Sequence, residues 1–146
     1  MSKFTTVLSG GVLAAAAAFA LAAPASAAAA PAGVSPMGHP AGCSTAHFCS
    51  YRDGNGGRLC YNTTSSIKSW SSSCREVDSV FNNGAAAAAR LYYGTSYTGA
   101  HYCLANGHYL LYMTKNTFNV GAGKSGYQQP MANHVKSHTL GVPCGS

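Results

Sequence analysis

Acidic side chains are nearly absent from this sequence. Asp53, Glu76 and Asp78 are the only three in 146 residues. That scarcity works against hydrolases built on paired carboxylates, and against oxygen cages for calcium or magnesium, which need several charged or carbonyl oxygens. It also leaves few groups to orient a histidine base beside a serine, and no G-x-S-x-G elbow occurs. The stretch Gly121–Ser125 (GAGKS) resembles the end of a phosphate loop. The glycine that should stand five positions before its last glycine falls on Phe118, so the motif fails. No catalytic residue is assigned, no cofactor is expected, and the chain does not read as an enzyme. Basic residues are numerous but spread out (Arg52, Arg58, Lys68, Arg75, Arg90, Lys115, Lys124, Lys136), with no run of the kind that tracks nucleic acid. No nucleic-acid partner is expected.

What the chain does have begins with its first segment. Met1-Ser2-Lys3 is a short basic start, followed by an alanine-rich apolar run to Ala23 and by Pro24-Ala25-Ser26-Ala27, which fits a small-residue processing site. The pattern predicts a signal peptide over residues 1–27, and hence a secreted, extracellular product. No basic stop-transfer cluster follows, so membrane insertion is not expected. Residues 28–42 are alanine, proline and glycine without a periodic apolar face, which predicts a floppy arm. Residues 43–146 suit one small domain, read as a monomer.

All six cysteines fall in that domain: Cys43, Cys49, Cys60, Cys74, Cys103 and Cys144. An even count behind a signal peptide points to three disulfides, for which 15 pairings exist. Neighbourhood along the chain favours Cys43–Cys49, Cys60–Cys74 and Cys103–Cys144. His101, Cys103 and His108 are close enough to raise the question of zinc. No C-x-x-C pair is present and exported thiols oxidise, so no metal is expected.

The domain reads as all-β. No stretch holds a helical apolar period for three turns, and short β-prone runs alternate with Gly- and Asn-rich turns, the pattern of a sandwich. Strands are expected at Phe48–Arg52, Arg58–Tyr61, Ile67–Trp70, Val80–Phe81, Arg90–Tyr93, Ala100–Leu104 and His108–Tyr112. The chain also repeats itself: Tyr51 to Cys60 resembles Tyr92 to Cys103, a strand ending in tyrosine, a glycine turn, then a strand carrying a cysteine. Each half later reaches a similar element, Asp78–Asn83 and then Asn133–His138. Two copies of one unit fit a double Greek key.

At these residues the sequence resembles a known group. Tyr92-x4-Tyr97-x-Gly99 matches the βγ-crystallin Greek-key signature, in which an aromatic pair packs over a folded hairpin and glycine takes a conformation barred to side chains. The corresponding residues of the first half are Tyr51 and Gly57, without the second aromatic and with one residue fewer. The wider layout is similar to a small secreted bacterial peptidase-inhibitor family with this fold, whose known member inhibits metalloproteinases. The matching pieces are Cys43-x5-Cys49-x-Tyr51, the Gly56-Gly57 turn, Ser79–Gly84, Leu91-Tyr92, Tyr97-x-Gly99 and Ser137-His138. The resemblance implies a βγ-crystallin-like double Greek-key sandwich, and an inhibitor whose partner is an extracellular protease. Crystallin-like calcium sites need an Asn/Asp pair, two spacers and two hydroxyl residues. Here Cys74-Arg75 and Asp78 interrupt the first set, and His134 and His138 the second, so calcium binding is disfavoured.

An inhibitor needs a pre-formed loop, and two stretches are candidates. One is Asn62–Ser66; the other, favoured by its length, is Thr114–Gln129, with Thr114, Lys115, Asn116, Lys124 and Tyr127 as its contact residues. The histidines read as surface or turn residues. The competing reading is a cationic, tyrosine-rich binding or killer-toxin-like module acting on cell envelopes, because fold does not determine function.

Overall fold

Turns rich in glycine, serine and asparagine cut the domain into short strands that pair only as antiparallel neighbours. The computed structural model describes residues 40–145. The expected signal peptide, residues 28–39 of the expected arm, and Ser146 lie outside the described residues. Seven strands are described: β1 (His47–Tyr51), β2 (Leu59–Thr63), β3 (Ser79–Asn83), β4 (Ala88–Tyr92), β5 (His101–Ala105), β6 (Tyr109–Leu110) and β7 (Ser137–Leu140). One sheet has the order β2-β1-β3-β6, the other β5-β4-β7. Two 3-10 turns, Ser72–Cys74 and Met113–Lys115, complete the regular structure. The protein is an all-β sandwich of two antiparallel sheets.

The repeat read in the sequence is a repeat of structure. In the first unit β1 pairs with β2 through a hairpin, and β3 returns to the other side of β1 with Tyr51 opposite Ser79. In the second, β4 pairs with β5 and β7 returns beside β4 with Tyr92 opposite Ser137. A last strand that lies beside the first is the return a Greek key makes. The element between crosses over: β6 of the second unit joins the first sheet beside β3, and Ile67 of the first unit bridges to His138 of β7.

One serine closes each hairpin, and the bonds match. Ser79 Oγ accepts from the Gly56 amide at 3.1 Å and donates to the Asp53 carbonyl at 2.6 Å. Ser137 Oγ accepts from the Tyr97 amide at 3.1 Å and donates to the Gly94 carbonyl at 2.6 Å. Gly56 is thus the structural counterpart of Tyr97, and both have positive φ, 80° and 62°. The left-handed glycine of the first hairpin is therefore Gly56, one residue before the Gly57 named in the sequence pattern. In the second hairpin Gly99 has φ 83°, and a Cβ there would meet the Ser125 carbonyl at 2.9 Å. The Tyr92 and Tyr97 rings pack 5.9 Å apart over that turn.

Most expected strands shift by a residue or two at their ends, His108–Tyr112 shortens to Tyr109–Leu110, and one expected strand is lost. Ile67–Trp70 does not form a strand: only Ile67 bridges, and Trp70 turns inward because its large ring is buried in the core. The expected strands include none near the C-terminal end of the domain; β7 begins at Ser137, inside the repeat element Asn133–His138, and runs on to Leu140. The alanines of residues 85–89 lead into strand β4, not helix, with Ala88 and Ala89 both buried and Ala89 in the core between the sheets. Tertiary packing here overrides alanine's helix preference.

Between the sheets lies one continuous apolar cluster including Phe48, Trp70, Val80, Leu91, Leu104, Met113, Phe118, Met131 and Val135. Burying each large side chain stabilises the fold by roughly 1.5–3 kcal/mol. The outer face of β1 is also covered. Cys49, Tyr51 and Phe81 form a second cluster against Cys43, and Tyr51 donates its hydroxyl to the buried Pro40 carbonyl at 3.3 Å. Pro40 to Gly42, expected as the end of a loose arm, are thus attached to the domain, with the Gly42 carbonyl accepting from Asn62. Bridges link Cys43 to Cys49, Cys60 to Cys74 and Cys103 to Cys144.

Candidate functional site

Thr64, Ser65, Ser66, Lys68 and Ser69 form an exposed stretch between β2 and the buried Trp70. Such a polar run could be a loose loop, but it is tied down at successive residues from behind. Ile67 and His138 exchange backbone bonds, the Ile67 amide to the His138 carbonyl at 2.9 Å and the reverse at 3.0 Å. The Leu140 amide donates to Ser66 Oγ, the Ser96 amide to the Lys68 carbonyl, and the Trp70 amide to the Lys136 carbonyl. The Cys60–Cys74 bridge brackets the stretch. Local sequence leaves it free to face solvent, and β7 with the second hairpin holds it rigid.

The brace behind it is a buried histidine. The His138 ring is fully enclosed, its centroid 4.4 Å from that of Phe48, and it meets Trp70 edge-on at 73°. Trp70 Nε1 donates to His138 Nδ1 at 2.8 Å. An indole N–H can only donate, so Nδ1 is bare and the proton sits on Nε2, which reaches the Ser65 carbonyl at 3.1 Å. The ring is neutral. Burial pushes its pKa down to about 4, although the bond to Ser65 opposes the shift. This corrects the reading of the histidines as surface or turn residues: His138 is a core residue.

Beside the exposed stretch runs an open groove of about 640 Å³. Its cations are Arg75, Lys124 and Lys136, and no acidic side chain lines it. The second hairpin supplies one wall through Tyr93, Gly94, Thr95, Thr98 and Gly99, and Ser125 faces them. Tyr93 is held between neighbours: its ring stacks on His134, meets Phe118 edge-on and carries the Lys136 ammonium 4.9 Å from its centroid. The ring also lies so close over Gly126 that a Cβ there would collide with it. Burial, then Arg90 and Lys124, hold nearby His101 below the usual imidazole range.

The long stretch favoured in the sequence is not a floppy insertion. Phe118 is buried, its amide donates to the Gln129 carbonyl, and its carbonyl accepts from Gln128. Val120 bridges to His101 and the Ser125 carbonyl accepts from Ala100. The five residues singled out there are dispersed. Lys124 lines the groove, and Tyr127 is exposed on the returning arm. Thr114 and Lys115 sit by Tyr112 at the 3-10 turn, and Asn116 accepts the Met131 amide. The positions compared with a calcium site carry other duties. Cys74 is in a bridge, Arg75 Nε donates to the Trp70 carbonyl, and Ser137 closes the hairpin. Sequence reasoning missed Trp70 and His138 as a pair because 68 residues separate them; the one signal was that the sole tryptophan needs a partner for its N–H.

Residues 37–104 match the model of peptidase inhibitor family I36. Neither a curated protein nor a solved structure matches the chain. Over that segment the chain is similar to peptidase inhibitors. The matched segment contains the exposed stretch braced by His138 and ends before the long stretch 114–129. Among the described residues no helix is long and apolar enough to cross a membrane.

Proposed function

We propose that this relative of the family I36 inhibitors blocks a secreted metallopeptidase by presenting Thr64–Ser69 as a rigid segment. The observation that carries the reading is the set of bonds behind that stretch, which orders it before any partner arrives. A loop already in its bound conformation loses little entropy on association, so a small interface can hold tightly. The family match covers this stretch and supports it over Thr114–Gln129. The metallopeptidase class rests on the sequence's resemblance to an inhibitor of that class.

Titration against a panel of purified metallo- and serine peptidases tests the reading. The expected result is stoichiometric inhibition of at least one metallopeptidase. Lys68→Ala and Ser69→Ala should weaken it, whereas Lys115→Ala and Tyr127→Ala should leave it unchanged. The reverse pattern would move the contact to the long stretch, and no inhibition at micromolar concentration across the panel would refute the proposal.

A further inference from the structure

The three acids and the cations of the groove are segregated. Asp53 pairs with Arg58 at 2.9 Å, the one ion pair among the described residues. Glu76 exerts its field on that same Arg58. Asp78 packs toward Gly54 beside Tyr112. All three carboxylates thus lie toward the first hairpin, while Arg75, Lys124 and Lys136 converge from three separate segments on the second. Among the described residues no carboxylate pairs with them, although Glu76 follows Arg75 in the chain. Like charges held together in a concave site raise the local potential and draw anions. His101 has its proton affinity lowered first by burial and then by Arg90 and by the groove's Lys124.

We infer that the groove is a binding site for a phosphate ester, such as a phosphorylated polyol. Three converging cations exceed what one carboxylate neutralises and suit a group with several charged oxygens, for which lysine is a common point-charge partner. The volume, about 640 Å³, falls in the range of small-molecule sites and exceeds what a bare phosphate fills. Thr95, Thr98 and Ser125 also line the groove; Thr98 donates its hydroxyl to the Thr95 carbonyl, which leaves its oxygen to accept from a hydroxyl of the ester's alcohol. Lys136 is positioned for the phosphate by its seat over the fixed Tyr93 ring. The site is distinct from the peptidase contact, because none of its lining residues belongs to Thr64–Ser69.

Amide NMR titrations of the full secreted chain at constant ionic strength test this, with glycerol 3-phosphate, inorganic phosphate and an oligoglutamate as separate probes. Glycerol 3-phosphate should give saturable shifts at Gly94, Gly99 and Ser125, and should bind more tightly than inorganic phosphate. Lys124→Ala and Lys136→Met should each weaken it about tenfold, the loss of one charge-assisted contact. Methionine keeps the packing over Tyr93, and thermal melts confirm that each variant folds. Lys115→Ala, remote from the groove, should change nothing. Equal binding of inorganic phosphate would remove the alcohol from the assignment, and oligoglutamate binding as tightly as the ester would make the groove a carboxylate surface. Shifts that never saturate, or that survive both lysine variants, would overturn the site altogether.

Discussion

Acid should loosen this protein through His138, and the size of the effect follows from its surroundings. The folded ring is neutral with its pKa pushed down to about 4 from 6.5, by burial first. Between those values the unfolded chain binds a proton that the folded chain refuses. Stability therefore rises with pH across that window and is lost as pH falls from 6.5 to 4. A shift of this size corresponds to about 3 kcal/mol. Now replace His138 with phenylalanine. At pH 7 the variant leaves the Trp70 N–H and the Ser65 carbonyl without their partner, which costs roughly 2–5 kcal/mol if both stay buried. At pH 4 the wild type has lost its advantage from the neutral ring, so the gap between the two proteins should narrow by about 3 kcal/mol. Urea unfolding, followed by the fluorescence of the single tryptophan, measures both at pH 7, 5.5 and 4. Other groups titrate alike in the two proteins and cancel in the difference. A gap that stays constant with pH would show that His138 is not the neutral, buried brace described above.

Three further outcomes are expected. Ser79→Ala and Ser137→Ala each orphan one hairpin amide and one carbonyl; thermal melts should show similar losses of about 2 kcal/mol, and a loss at one site alone would contradict the structural repeat. Replacing Cys60 and Cys74 together by serine should cost about 3 kcal/mol in unfolding experiments, because the bridge closes a loop of fifteen residues. The same variant should inhibit its target peptidase more weakly, and undiminished inhibition would separate the bridge from the contact segment. Melting temperatures in excess chelator and in millimolar calcium should coincide; a rise of several degrees with calcium would reveal a native-state site at positions that Arg75, His134 and His138 interrupt.

Much of the fold was legible because its signals are local. The hairpin Tyr92-x4-Tyr97-x-Gly99 is contained in eight residues, and its turn demands what glycine and a stacked aromatic pair supply. The all-β class followed from alternation and turn chemistry, and the two units followed from internal likeness. The fate of Ile67–Trp70 was not legible. Its β-prone composition says nothing of a core waiting for the indole or of a histidine on β7 to bond it.

The candidate site was less legible still, for the same reason. Thr64–Ser69 reads as a bland polar loop until His138, Leu140 and Ser96 are brought behind it. The cations of the groove are scattered over positions 75, 124 and 136, and as a sequence they suggest only solubility. Composition and short-range spacing decide which elements form, because turns and pleats are short-range physics. Which exposed segment is rigid, which histidine is neutral, and where like charges gather depend on residues distant in the chain. Those were decided only when the two units packed together.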